Sequence, residues 1–271
     1  PAGRRLLGAY GRSVTLWDLE DESSETLLGS SDVVQDVTFS PNGEQIAGAT
    51  AEAVLIWRLK NHDAIYRSLQ APHQASVVSV ATTADGGMAR SLDYTGLVVT
   101  SPLGSEPTAF EELKVPTTAG ARTAFSKDGS RLITLEDEGL VLMSWQLRQA
   151  EAVRQAQVTL PSQGIALAAS KDASRVVEAQ AEGGLALYDI QPDAITPAWR
   201  MDTTDSIFTV ALSDDGRWLA GAYEENGFCG RDLHGGREPV VRKGHDGTVT
   251  GLAFNRSATL LATAGFDQRV G

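Results

Sequence analysis

Seven times along the chain a short hydrophobic run meets a Gly- or Ala-centred turn, at Gly3, Gly43, Gly86, Gly129, Ala173, Gly216 and Ala258. Subtracting neighbours gives steps of 40, 43, 43, 44, 43 and 42 residues. A repeat of that length is one supersecondary unit copied along an array, since a piece so short cannot bury its apolar faces without neighbours. The period constrains the fold before any propensity argument does. It also directs function towards surface recognition and away from catalysis.

The second repeat shows the unit most clearly. Val34, Val37 and Phe39 predict a strand, Ser40-Pro41-Asn42-Gly43 a tight turn, Gln45 to Ala49 a second strand, and Val54-Leu55-Ile56-Trp57 a third. Pro at the second turn position presets φ and Gly after Asn accepts positive φ, so the turn has a mechanism. Phe125-Ser126-Lys127-Asp128-Gly129 and Leu212-Ser213-Asp214-Asp215-Gly216 repeat the pattern, and Thr83-Ala84-Asp85-Gly86 is an eroded copy. Polar stretches such as 21–25 and 105–108 suit a fourth, outer strand and its loops. No helix of useful length is predicted. The repeats fall near 1–31, 32–74, 75–118, 119–162, 163–205, 206–243 and 244–271, read as a single domain.

Composition narrows the partners. The formal charge is −12, from 35 acidic against 23 basic residues, and no Lys/Arg run exceeds two residues. Nucleic acids and anionic membranes both need a positive field, so neither is expected as a partner. A protein partner with a basic or mixed surface is expected instead. Cys229 stands alone, so no intrachain disulfide is possible and a reducing, cytoplasmic setting is the simple reading. No run approaches the roughly 18–20 apolar residues of a membrane span.

Leu16-Trp17-Asp18, Tyr188-Asp189 and Ile56-Trp57-Arg58 at strand ends, with Lys243-Gly244-His245-Asp246 ahead of Val249 to Phe254, resemble the WD40 repeat family. The resemblance runs over essentially the whole chain. It implies an all-β propeller of four-stranded antiparallel blades, seven in number, with six-bladed closure as the alternative. The family's Trp slot is degenerate, holding Thr100 in repeat three, Met143 in repeat four (Trp145 lies two residues on) and Arg231 in repeat six. Only His245 takes the Gly-His position. The chain opens at Pro1 inside a repeat and stops before the Trp of the last one, so it reads as a piece of a longer protein.

The resemblance implies that His245, Thr263 and Asp267 belong to the family's structural hydrogen-bond network rather than to a catalytic triad. No nucleophile elbow or oxyanion-forming turn accompanies them. The four His residues, His62, His73, His234 and His245, read as scattered over loops. The inner strands supply Gln35, Val78, Ala121, Ile165, Phe208 and Thr250 at one aligned position, which is poor metal chemistry. Gly86-Gly87 and Gly183-Gly184 lack a helix to receive phosphate. Acid clusters at 18–22, 136–138 and 224–225 lack calcium-loop spacing. Neither a metal nor a cofactor is therefore expected, nor catalytic residues.

In the family, partners dock on the narrow face opened by the loops near the first-strand starts. That makes Tyr10, Gln35, Phe208, Tyr223, Thr250 and Phe266 the candidate partner-binding residues. The implied function is a non-catalytic interaction platform, a scaffold or sensor module, which could be fused to an effector such as a signalling NTPase. A propeller hydrolase or lactonase with a site at the channel mouth, or an architectural subunit of a large complex, is the alternative.

Overall fold

The structure is a computed structural model that describes residues 4–21, 23–27, 30–60, 63–69, 71–103, 110–148, 151–223, 227–235, 239–267 and 269–271. Gly3, His62, the 105–108 segment and the 224–225 acid pair lie outside the described residues. The strands follow the repeats. They are β1 (Arg5–Tyr10), β2 (Ser13–Asp18), β3 (Ser23–Leu27), β4 (Val34–Phe39), β5 (Gln45–Thr50), β6 (Val54–Lys60), β7 (Asp63–Leu69), β8 (Val77–Thr82), β9 (Met88–Asp93), β10 (Leu97–Pro102) and β11 (Glu111–Lys114). Then come β12 (Arg122–Phe125), β13 (Arg131–Glu136), β14 (Val141–Leu147), β15 (Ala152–Thr159), β16 (Gly164–Ala169), β17 (Arg175–Gln180), β18 (Leu185–Ile190) and β19 (Ile195–Met201). The last are β20 (Ile207–Leu212), β21 (Trp218–Tyr223), β22 (Gly227–Asp232), β23 (Val240–Lys243), β24 (Val249–Phe254) and β25 (Leu261–Gly265).

Strands 4–23 form five four-stranded meanders, each in simple sequence order. β1–β3 make a three-stranded sheet and β24–β25 a two-stranded one. The fold is all-β with propeller-type blades, as expected; among the described residues five sheets have four strands and the two terminal sheets have three and two. A single 3-10 turn at Asp137–Gly139 is the helical content described. No helix among the described residues is long and apolar enough to cross a membrane. The chain divides into two compact units. The first comprises Pro1–Gly120, Lys127–Ser130 and Gln146–Val153, and the second Ala121–Ser126, Arg131–Trp145 and Arg154–Gly271.

The repeated turns explain the period. Gly43, Gly86, Gly129, Ala173, Gly216 and Ala258 all take positive φ, between 52° and 71°. The residue three before each supplies a side-chain oxygen that accepts the N–H five residues on. Examples are Ser40 to Gln45 at 3.0 Å, Ser126 to Arg131 at 2.9 Å, Ser213 to Trp218 at 2.8 Å and Asn255 to Leu260 at 3.0 Å. The Asp or Asn between them accepts a second N–H, as at Asp128 and Asp215. These side chains replace ladder bonds that the reversing backbone cannot make.

Within each unit neighbouring sheets meet along their inner strands. In the first, β4 lies against β8, and β1, the second strand of its repeat, lies against β4; in the second, β12, β16, β20 and β24 follow one another. The core sits between successive sheets. Ile46, Leu55 and Trp57 pack with Val14 and Leu16. Val176, Tyr188 and Ile190 pack with Ile133, Leu135 and Leu142. Each large aliphatic buried this way contributes about 1.5–3 kcal/mol. Polar clasps add direction. Arg175 donates through Nη1 to the Gly216 carbonyl at 2.8 Å, and Arg90 to the Gly129 carbonyl at 2.6 Å. A Cβ on Gly216 would meet Arg175 Cδ at 2.6 Å, so that glycine also makes room for the clasp.

Two turns break the glycine rule, and their surroundings differ. Left-handed backbone costs alanine about 1–2 kcal/mol, partly offset by the entropy glycine loses. Ala258→Gly, at a half-buried turn, is expected to stabilise by about 0.5–1 kcal/mol. Ala173→Gly should be near neutral, because its Cβ is fully buried and a lost methyl costs about 0.8 kcal/mol. Urea unfolding midpoints measure both, and equal shifts would refute the distinction.

Candidate functional site

At the end of the sheets where each first strand begins, here called the leading end, five sheets share one irregularity. The ladder between first and second strands skips a residue at Gln35, Val78, Ile165, Phe208 and Thr250. Each is a β-bulge: the preceding residue turns into the core while the bulged one is left without a partner across the strand. Val34, Val77, Ile207 and Val249, just before the bulge, are 6%, 0%, 0% and 1% exposed. Phe208 is 50% exposed, Gln35 and Thr250 are also exposed, and Val78 and Ile165 are half-buried. Ala121 precedes β12 and has no such bulge. Of the aligned column seen in the sequence, Gln35, Phe208 and Thr250 are thus exposed, while Ile165 packs against the core. In the first unit the column runs over β4 and β8, and in the second over β16, β20 and β24.

The other candidates divide. Tyr10 is 74% exposed at the end of β1, and Phe266 is 65% exposed just after β25. Phe266 is held by its N–H, which donates to the Thr248 carbonyl at 3.0 Å. Tyr223 is half-buried instead and packs against the cluster around Leu185, Ile207 and Cys229. Burial, then the neighbouring Cys229, pushes its phenol pKa up, and burial also raises that of the Cys229 thiol.

His245 lies between two polar partners. Its Nδ1 is 3.0 Å from both Asp267 carboxylate oxygens and its Nε2 is 2.7 Å from Thr263 Oγ1. The hydrogen bond from His245 leads in holding the Asp267 carboxyl down to about 2. The structure shows a second such set that the sequence reading missed. His73 Nε2 is 2.7 Å from Ser91 Oγ and its Nδ1 is 3.3 Å from Asp93 Oδ2. The His residues therefore do recur at one position. Pro72-His73 replaces Gly-His and hid the match, but the 18-residue spacing from His73 to Ser91 equals that from His245 to Thr263 and was there to be found.

The Trp slot needs two corrections. In its neighbours the register sets Ile46 opposite Trp57, Val176 opposite Tyr188 and Leu219 opposite Arg231. In repeat three it sets Ala89 opposite Ser101, so Ser101 stands there and not Thr100. Counted between the last paired residues, Leu92 with Val98 against Ala49 with Val54, the β9–β10 turn is one residue longer than the β5–β6 turn. In repeat four Trp145, not Met143, makes the bond of that slot, donating Nε1–H to Thr134 Oγ1 at 3.0 Å. At Trp57 and Trp17 the neighbour is glycine instead: a Cβ on Gly48 would sit 2.9 Å from Trp57 Cζ3, and one on Gly8 2.8 Å from Trp17 Cζ3.

Ser91, His73 and Asp93 have the connectivity of a hydrolytic triad without its access. The His73 and Asp93 side chains are 2% and 0% exposed, and Ser91 is buried. Asp93 also accepts N–H groups from Gln74, Thr95 and Leu97. Burial works against the charged Asp93, but those bonds outweigh it and lower its pKa; burial lowers that of His73. With Nδ1–H given to Asp93, Nε2 accepts from the Ser91 hydroxyl, as a nucleophile's base would, but the buried side chains leave no room for a substrate to reach them. This set packs a blade.

Two buried carboxyls are unusual. Asp36 reaches from β4 to β8, accepting the Val80 N–H at 2.8 Å and the Ser79 hydroxyl at 3.2 Å. Burial still raises it to about 6. Glu178 stands opposite Ala186 beside Tyr188, in the place Gly48 and Ser91 take in their sheets, and is 0% exposed. Burial raises it to about 7, against hydrogen bonds from Tyr188 and Gln180. Among the described residues no group of three or more His, Cys, Asp or Glu could hold a metal. A cavity of about 120 Å³ lined by Arg5, Asp18, Ser24, Glu25 and Leu59 is smaller than the roughly 300 Å³ of small cofactor sites.

Residues 237–270 match the family model described as WD domain, G-beta repeat. That segment contains His245, Thr263 and Asp267. No curated protein matches the chain. With the five complete meanders, the match gives a WD40-type propeller fold. WD40 proteins are in general platforms for protein partners and typically not enzymes.

The buried carboxyl sets a pH test. Between pH 4.5 and about 7 the folded chain keeps the Glu178 proton that the unfolded chain releases. Stability from this group is therefore full below pH 4.5 and falls as pH rises through about 7. Glu178→Gln should stabilise at pH 8 by on the order of 2–3 kcal/mol and change little at pH 4.5. His73 acts in the opposite sense: its lowered pKa removes stability as pH falls below 6.5, and His73→Gln should flatten that acid limb. Urea titrations across pH decide both.

Proposed function

Given a WD40 repeat at residues 237–270 and WD40-type blades along the described chain, we propose that the protein is a non-catalytic platform that docks protein partners at the leading end of its sheets. The observation that carries this reading is the recurring bulge at the start of the first strands, which leaves Gln35 exposed in the first unit and Phe208 and Thr250 in the second. Side chains on paired strands lose little entropy on binding, so a modest contact can be selective. The docking residues are Gln35 and Tyr10 in the first unit, and Phe208, Thr250 and Phe266 in the second, where Tyr223 packs beneath against the core. Exposed aromatics are the side chains that most often anchor partners.

A chemical step finds little support, because the side chains of both His–Asp pairs described, His73–Asp93 and His245–Asp267, are buried. The net charge of −12 favours a partner with a basic or mixed surface. The role that fits is a scaffold or sensor module in signalling. The single, buried Cys229 fits a cytoplasmic setting.

Affinity capture followed by mass spectrometry tests the docking end. Phe208→Ala with Phe266→Ala should remove the partners that the unaltered chain retains. Leu19→Ala with Leu260→Ala, at comparably exposed sites on the opposite end (46% and 55%), should leave them bound. Surface truncations of this kind shift stability by about 0.5 kcal/mol or less, so tryptophan fluorescence should report intact folding in both. Partners kept by the first variant and lost by the second would overturn the assignment.

A further inference from the structure

The leading end of the second unit has a charge pattern that the net charge does not convey. Four exposed carboxylates project there: Asp137 and Glu138 from the β13–β14 turn, Glu182 from the β17–β18 turn, and Asp205 from the β19–β20 loop. Among the described residues none of the four has an ion-pair partner. Of the arginines at this end, Arg200 pairs with Asp202 at 2.5 Å and Arg269 with Asp246 at 2.9 Å; exposed Arg122 opens β12, and Arg242 and Lys243 close β23. Amid these acids stand the apolar groups that the same sheets expose: Leu140 at 41%, Phe208 at 50%, Phe266 at 65%, and half-buried Ile165. Asp205 lies close enough to the Tyr223 ring to act on its phenol, which sets an acid directly beside the aromatic row.

An apolar strip with uncompensated carboxylates around it is complementary to a chain of matching pattern. Resting on the docking reading above, we infer that this end of the second unit takes an extended partner segment in which apolar side chains are flanked by Lys or Arg. The apolar residues seat against Phe208 and Phe266, and the cations meet the four carboxylates. Rim charges of this kind act mainly on encounter rate and on rejection of acidic competitors. Their effect shrinks once the Debye length falls below the separation, about 10 Å at 0.1 M salt.

The probe is a fluorescein-labelled peptide, Lys-Arg-Leu-Trp-Leu-Arg-Lys, and a counterpart with Glu at the four basic positions, each titrated with the full chain at low salt. One variant neutralises the four carboxylates (Asp137→Asn, Glu138→Gln, Glu182→Gln, Asp205→Asn). A second removes the same charge elsewhere, at exposed Glu25, Glu44, Glu112 and Asp193, by Gln and Asn. The expected result is binding of the basic peptide that weakens about tenfold or more in the first variant, changes little in the second, and is lost with Phe208→Ala and Phe266→Ala. Equal weakening in both charge variants would show a diffuse field and overturn the inference. So would equal binding of the acidic peptide. Failure of the basic peptide to bind, with partner capture still dependent on Phe208 and Phe266, would overturn this partner chemistry and leave the docking end standing.

Discussion

A four-stranded meander has two faces and can cover neither by itself, so each sheet of this chain depends on side chains lent by the next. Everything else in the structure answers to that requirement. Trp57 lies over Gly48 because an indole large enough to reach the adjoining sheet leaves no room for a Cβ beneath it. Where the Trp is missing, other groups occupy the space. In the sixth repeat the position is Gly221, and a Cβ there would touch Leu185 and Ile207 from the preceding and same sheets. Arg231, in the Trp slot of that repeat, moves its guanidinium over the Trp199 ring, 4.7 Å from the centroid. Volume is conserved while chemistry drifts, the behaviour expected of cores that tolerate repacking.

The polar network degrades in the same piecemeal way. Repeat three keeps His, Ser and Asp but no Trp; repeat four keeps Thr134 and Trp145 but no His. Each half is internally satisfied, which is why the loss of the other half is tolerated: a buried polar group costs only when it is left unpaired. Glu178 shows the limit of this freedom. It carries a carboxyl into a slot filled elsewhere by glycine or a hydroxyl, and the site accepts it by favouring the neutral form.

These differences also explain what could be read from the residues alone. The turns were legible because their cause is local: a side-chain oxygen, an Asp or Asn two residues on, and a residue that accepts positive φ all lie within six positions. The second histidine was hidden by one changed neighbour, Pro72, although its spacing to Ser91 was intact. Trp145 and Ser101 were misplaced because a slot is defined by cross-strand register, and one extra residue in the β9–β10 turn moves it without altering the repeat length. The column from Gln35 to Thr250 was visible, but not that its members leave the ladder. A bulge is a property of two strands, and neither strand alone announces it.

The carboxylates at the leading end of the second unit were the least legible feature, since each is an ordinary loop acid by its own surroundings. What distinguishes them is the fate of the cations. Arg175 and Arg217, at the opposite end, are held by Asp189 and Asp232, at 2.9 and 2.7 Å, and Arg175 is also directed to the Gly216 carbonyl. Basic residues at that end thus serve as clasps between and within sheets, and the acids near them are compensated. Asp137, Glu138, Glu182 and Asp205 have no such counterparts among the described residues. A field that a partner can sense depends on charge left over after the fold has used what it needs, not on the total carried by the chain. In the second unit the arginine pairs at both ends of the sheets leave these four carboxylates over, beside exposed phenylalanines.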